Sequence, residues 1–145
     1  LMDLRGILAT KSRQIISIRP EQSLADALLI LQQHNIGALV VIENDQDVVG
    51  ILSERDVVRV AAGNPDFFEM RVDEVMTRNV VMGILDDDVT HVAHVMTERR
   101  FRHLPVVDEQ RRLIGIVSIG DILKSQRDEF LGEIDTLETQ LLADD

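Results

Sequence analysis

Cysteine is absent from the chain, which excludes disulfide frameworks, thiol nucleophiles and Cys-ligated zinc. No apolar run approaches the ~18 residues that a membrane-spanning helix requires. The opening residues lack the basic start, apolar run and small-residue site of a secretory signal, so the expectation is a cytoplasmic protein without a membrane partner. Positive charge is also scarce, with 15 Lys and Arg against 26 Asp and Glu and a formal net charge of -11. Nucleic-acid binding rests on cations that neutralise phosphates, so no nucleic-acid partner is expected; a small anion in a local basic pocket is still allowed.

What the chain does have is itself, twice. Displacing the sequence by 65 positions puts Gly115 on Gly50, Ile116 on Ile51, Ser118 on Ser53, Asp121 on Asp56, Leu104 on Leu39 and Val106 on Val41, without a gap. A fixed period of this kind marks one supersecondary unit used twice. At 145 residues the two copies are expected to share a core rather than to fold apart.

In order, residues 4–11 predict a short helix with Leu4, Ile7 and Leu8 on one side. Residues 15–18 predict a short strand ended by Pro20. Leu24, Ala27, Leu28 and Leu31 follow the helical period, with Ser23 as cap and Asn35 and Gly37 as the stop. Residues 38–42 are continuously apolar, which predicts a strand buried on both faces. A polar turn, a returning strand over 48–52 and a helix from Ser53 to about Ala62 complete the first copy. Gly63 and Pro65 break the chain in a linker over 63–71. The second copy predicts a helical turn at 72–76, a strand over 80–85, a helix from Val89 to about Arg100, and a hairpin over 104–107 and 113–117. Pro105 has no backbone donor and belongs at a strand edge or start. The last helix is longer than its counterpart, and Leu123, Phe130, Ile134, Leu137 and Leu141 make a short heptad-like stripe. That stripe suits either a helix laid on its own domain or one paired with a second subunit.

The repeated unit Gly-apolar-apolar-Ser-x-x-Asp places a strand end and a helix start at the same Ser. Unpaired backbone donors and the positive end of the helix dipole collect there and favour an anion. The Ser hydroxyl donates, while an ionised Asp accepts and suits a vicinal sugar diol. The same spacing also serves as a capping box, in which Ser and Asp only satisfy the helix's own amides. Spacing alone leaves both readings open.

The stretch from Ile36, Gly37, Ala38 and Leu39 to Gly50, Ser53, Arg55 and Asp56, and the stretch from Met96 through Arg102, His103, Leu104 and Pro105 to Gly115, Ser118 and Asp121, together resemble a tandem pair of CBS domains (cystathionine-beta-synthase domains), a Bateman module of the small stand-alone bacterial type. The resemblance covers about residues 7–127. It implies an α/β (α+β) fold of two pseudo-symmetric half-domains, each β-α-β-β-α, packed sheet to sheet: residues 7–62, a linker 63–71, residues 72–127 and a helical extension 128–145. It also implies clefts between the halves that bind adenosine-containing ligands such as AMP, ADP, ATP, NAD or S-adenosylmethionine as regulators, without catalysis, commonly in a homodimer.

Carried over position by position, Asp56 and Asp121 would hold ribose hydroxyls, and Ser53 and Ser118 the ribose or first phosphate. Ile16, Ser17 and Ile18, with Val80 and Val81 after Thr77, would line the adenine. Where the first copy has Gly37 and Ala38, the second has Arg102 and His103, two donors suited to phosphate oxygens, and Arg55 beside Asp56 is a third. Pro105 follows them on the same strand.

Two other classes compete with this sensor reading: an enzyme that turns over a bound nucleotide, and a structural adaptor with empty clefts whose motif only caps helices. His91 and His94 behind Asp86, Asp87 and Asp88 read as an acidic helix start rather than a metal site. His34 and His103 have no triad arrangement in the sequence, and Met70, Met76, Met82 and Met96 read as core filler.

Overall fold

In the computed structural model, residues 2–11 and 14–143 are described. Helices and strands follow as α1 (Leu4–Ala9), β1 (Ser17–Ile18), α2 (Leu24–His34), β2 (Ala38–Glu43), β3 (Asp47–Ser53), α3 (Glu54–Ala61), α4 (Val72–Val75), α5 (Val89–Arg99), β4 (His103–Val107), β5 (Leu113–Ser118) and α6 (Ile119–Ala143). A 3-10 turn, Phe67–Glu69, precedes α4. The chain divides into two compact units that do not follow chain order. One gathers Leu1–Arg13, Gly83–Leu104 and Ile116–Asp145, the other Gln14–Met82 and Pro105–Gly115.

In the second of these units β1, β2 and β3 form one sheet, β1 parallel to β2 and β2 antiparallel to β3. The apolar run predicted to be buried on both faces is so: Leu39, Val40 and Val41 are fully buried on β2. Period-3.6 apolar positions of α2 meet that sheet, so that Leu24, Ala27 and Leu31 join Ile18, Leu39, Val41, Leu52, Val57, Val72 and Met76 in one core. The stretch over 63–71 is structured: Gly63 N–H donates to Val60 C=O at 3.3 Å, and Arg71 forms a bridge with Ser23.

In the other unit, α1, α5 and α6 bury Leu4, Ile7, Val89, Val92, Met96 and Ile122. α1 ends earlier than the sequence predicts. The Thr10 hydroxyl donates to Ile7 C=O at 2.8 Å, a local bond that competes with another helical turn and leaves Lys11 outside the helix.

The repeat explains how a short leading helix is held. α1 docks on the start of α5 through Leu4 N–H to Asp87 C=O at 3.0 Å, Arg5 N–H to Leu85 C=O at 3.1 Å and Val89 N–H to Met2 C=O at 3.1 Å. In the other unit α4 docks on the start of α2 through Val72 N–H to Gln22 C=O at 2.8 Å, Asp73 N–H to Pro20 C=O at 3.0 Å and Leu24 N–H to Met70 C=O at 2.9 Å. These are the same three bonds. Each copy's opening turn therefore packs on the other copy's long helix, and three residues of slack separate the turns from the 65-residue register. Both long helices then end in a left-handed residue at matching positions, Asn35 at φ 51° and Arg100 at φ 59°. Asn tolerates that conformation through local hydrogen bonding; Arg holds it only under tertiary constraint.

One predicted element is absent. Residues 80–85 form no strand, so the second copy keeps only the two-stranded sheet β4–β5. The Asp87 carboxylate accepts from Ile84 N–H at 2.9 Å while Asp87 N–H donates to Ile84 C=O at 3.1 Å, which folds the chain into a turn. The matching residues of the first copy close the same turn just after β1, Arg19 N–H donating to the Gln22 side chain at 3.0 Å and Gln22 N–H to Arg19 C=O at 3.2 Å, so the turn marks where the segment ends rather than why it lacks a ladder.

Gly50 lies on β3 where a Cβ would run into the Met76 side chain and stand 3.0 Å from the Thr77 carbonyl. Met76 is flexible; the Thr77 backbone is not. Gly50→Ala is expected to lower the urea-unfolding free energy by about 1–3 kcal/mol, while Gly63→Ala, into open space, changes it by less than about 0.5 kcal/mol.

Candidate ligand-binding site

Two strand–helix junctions carry the repeated motif. In the first, β3 delivers Ser53 to the start of α3, and Glu54 N–H is anchored on Gly37 C=O at 3.0 Å, which sets Gly37 and Ala38 beside it. Ser53 is extended at φ -108° and ψ 162°, and it closes a capping box. The Asp56 carboxylate accepts from Ser53 N–H at 2.9 Å and from the Ser53 hydroxyl at 3.1 Å, while Asp56 N–H donates to Ser53 Oγ at 3.3 Å. Among the described residues the cation that reaches Asp56 is Arg59, whose Nη1 stands 4.0 Å from Oδ1 on a side chain 73% exposed. Arg55 is exposed and has no ion-pair partner among the described residues.

The second junction repeats the frame with a different charge. β5 delivers Ser118 to α6, and Ile119 N–H is anchored on Arg102 C=O at 2.8 Å, which sets Arg102 and His103 where the first copy has Gly37 and Ala38. Asp121 accepts from Ser118 N–H at 2.9 Å, and Asp121 N–H donates to Ser118 Oγ at 3.1 Å. Here Lys11 also enters. Its ammonium donates to Asp121 Oδ2 at 2.7 Å and to Ile116 C=O at 2.7 Å. Burial alone raises the Asp121 pKa, but the hydrogen bond from Lys11 and those from Ser118 outweigh it and hold the carboxyl below its ordinary 3.8.

The frame thus brings together Gly37, Ala38, Ser53 and Asp56 at one junction and Arg102, Ser118 and Asp121 at the other. Thr77 joins the first: its N–H and C=O pair with Ile51 at 2.9 and 3.0 Å. Ser17 and Ile18 lie on β1 opposite Val40 and Val41, with Ile16 just before them. Val80 and Val81 are half-buried in irregular backbone, Val80 N–H donating to Arg78 C=O at 3.0 Å. Pro105 is buried inside β4, and His103, half-buried, begins that strand.

Lys11 is the residue that sequence reasoning missed. It is one of only two lysines, yet it stands outside both repeats' motif, and 110 residues separate it from Asp121. In the first copy the Ile51 carbonyl is taken by the Thr77 amide; at the matching Ile116 the acceptor goes to a lysine side chain.

A model of the CBS domain matches the chain twice, over residues 6–63 and 72–128. The chain belongs to the CBS-domain family. This CBS pair is 37% identical to a CBS-domain protein of Agrobacterium tumefaciens, ATU1752, with a TM-score of 0.81 over 86% of this chain and 99% of that one. It is 34% identical to the CBS domain-containing protein YhcV of Bacillus subtilis, over 85% of this chain and 86% of the relative. It is 31% identical to the CBS domain pair of protein MJ0100, whose structure is a complex with 5′-methylthioadenosine and S-adenosyl-L-methionine; the TM-score is 0.79 over 89% of this chain and 98% of that one. It also matches inosine-5′-monophosphate dehydrogenase of Methanocaldococcus jannaschii at 30% identity, but spans only 22% of that enzyme's length. Among the described residues no helix is long and apolar enough to cross a membrane, and no cluster of His, Asp and Glu is set to hold a metal ion.

The Lys11–Asp121 pair gives a pH dependence. A carboxyl whose folded pKa is depressed contributes stability above its unfolded pKa and loses it as pH falls through the folded value. Both side chains are about a third exposed or less, at 33% and 27%, so the contribution is about 1 kcal/mol or below. Lys11→Met is expected to be less stable than the native chain at pH 7 by that amount. The gap should close below pH 3.8, as followed by urea unfolding at each pH.

Proposed function

We propose that this CBS pair is a non-catalytic sensor of an adenosine-containing ligand, with AMP, ADP, ATP or NAD as the preferred chemistry and S-adenosylmethionine as the alternative. The observation that carries this is the duplicated junction, in which an acid in the first helical turn stays partly open to solvent, 14% at Asp56 and 27% at Asp121. An ionised carboxylate held by a backbone amide is a preset acceptor for a sugar diol, and the helix start beside it favours phosphate. The MJ0100 relative supports the adenosine part, because both compounds in its complex contain adenosine. On this reading Asp56 and Asp121 accept from ribose hydroxyls, Ser53 and Ser118 donate to ribose or phosphate, and Arg55, Arg102 and His103 meet phosphate. Ile16, Ser17, Ile18, Thr77, Val80 and Val81 surround the base. Binding switches the protein to the extent that the ligand prefers one arrangement of the chain over another.

One observation favours the adaptor reading: both carboxylates already serve as caps, and Asp56 takes two bonds from Ser53. Thermal shift separates the two. A ligand at a hundred times its Kd stabilises the native state by about 2.7 kcal/mol, a rise of several degrees. We expect at least one of AMP, ADP, ATP, NAD, NADH and S-adenosylmethionine to raise the Tm, and the double variant Asp56→Asn, Asp121→Asn to lose the effect. Asn keeps an oxygen for the Ser53 and Ser118 amides, so the caps survive. No shift with any of the six would leave the adaptor.

The sensor is further proposed to act as a homodimer through α6. Residues 127–143 of this helix are exposed throughout, and Phe130 and Leu137, like Ile134 and Leu141, repeat at heptad spacing. Leu137→Glu is expected to convert a two-chain species into one of 16.4 kDa in size-exclusion chromatography with light scattering; a native chain already monomeric would reject the pairing.

A further inference from the structure

The two junctions share the Ser-to-Asp capping bonds and the amide anchored on the neighbouring strand, yet differ in the charge set on the acid, where only Asp121 has an ammonium in contact among the described residues. We propose that Lys11 sets the ligand preference of the Asp121 junction, turning it away from an uncharged nucleoside and toward a ligand with an anionic 5′ group. This rests on the adenosine reading above and adds that the two junctions are chemically unequal.

The argument is one of occupancy and charge. At Asp56 both donors to Oδ2 come from Ser53 itself, and among the described residues the one cation within 4.0 Å is the solvated Arg59. At Asp121 an ammonium sits on Oδ2 at 2.7 Å and is fixed a second time by the Ile116 carbonyl. Two of its three N–H donors are thereby placed, and the third has no partner among the described residues. A sugar diol that approaches Asp121 meets a carboxylate whose charge is partly neutralised by this ammonium, so it accepts more weakly, and a neutral nucleoside gains nothing from the ammonium in return. A ligand carrying phosphate does gain from it, since its 5′ group lies within the ~8 Å over which physiological salt leaves a charge unscreened, and the third donor is available to an acceptor on the ligand. The Asp56 junction, with no ammonium in contact among the described residues, discriminates less. Lys11 acts on the sugar through Asp121 and is in that sense a positioning residue.

Isothermal titration calorimetry with two probes tests this: 5′-methylthioadenosine, which is uncharged at the 5′ side, and AMP. The variant Asp56→Asn isolates the Asp121 junction. In that background we expect AMP to bind at least tenfold tighter than 5′-methylthioadenosine. Adding Lys11→Met should cut that ratio at least fivefold, mainly through tighter binding of 5′-methylthioadenosine. Lys11→Arg should retain the ratio, which a merely structural effect of losing Lys11 would not explain. In the complementary Asp121→Asn background, Lys11→Met should leave the ratio unchanged. A ratio unaltered by Lys11→Met in the Asp56→Asn chain, or binding of neither probe to that chain while the native protein binds, overturns the role of Lys11 and leaves the sensor reading standing. Binding of neither probe to the native protein overturns both.

Discussion

A carboxylate that bonds the amide of the residue three before it holds this structure together at its two most informative places. Asp56 on Ser53 N–H and Asp121 on Ser118 N–H, each at 2.9 Å, end a strand and begin a helix within one residue. The amide would otherwise be an orphan at a helix start, costly wherever water is scarce. Once that turn is set, Glu54 and Ile119 reach back to Gly37 and Arg102, and the side chains at the neighbouring strand start are brought alongside the acid. A carboxylate that caps a helix start is also an acceptor left partly open to solvent, so the group that sets the turn is the one the proposed recognition would use.

Duplication supplies the frame and divergence supplies the chemistry. The three bonds that dock α1 on α5 recur where α4 docks on α2, so a turn too short to be stable alone is held by a longer helix of the other copy. Within that frame the copies have drifted. Gly37 and Ala38 correspond to Arg102 and His103, and the Ile116 carbonyl, which matches Ile51, accepts from the Lys11 ammonium. An ammonium on that carbonyl alters the field around the adjacent acid. Two junctions built alike thus present different charges.

α6 has no counterpart in the repeat beyond its first turns. Ile122 and Ser125 are buried and the helix beyond residue 126 is exposed, although Leu, Ile and Phe recur along it. Intrahelical bonds satisfy its backbone, but exposed apolar spacing of this regularity contributes nothing to the chain's own core, which is the physical ground for the proposed pairing with a second subunit.

The sequence by itself determined the elements whose signals are local: α2 from its period and Ser23, the doubly buried β2 from its unbroken apolar run, and both Ser-x-x-Asp junctions from a spacing that a helix start requires. It determined the family too, since a spaced pattern met twice carries that information without coordinates. The strand predicted over 80–85 is not formed, since a strand exists only where a neighbour pairs with it and apolar content does not reveal that. The reciprocal docking of α1 and α4 was hidden because three residues of slack break the register there. Lys11 was beyond reach for a stronger reason: its partner lies 110 residues away, and only the folded chain decides which carboxylate a flexible ammonium finds.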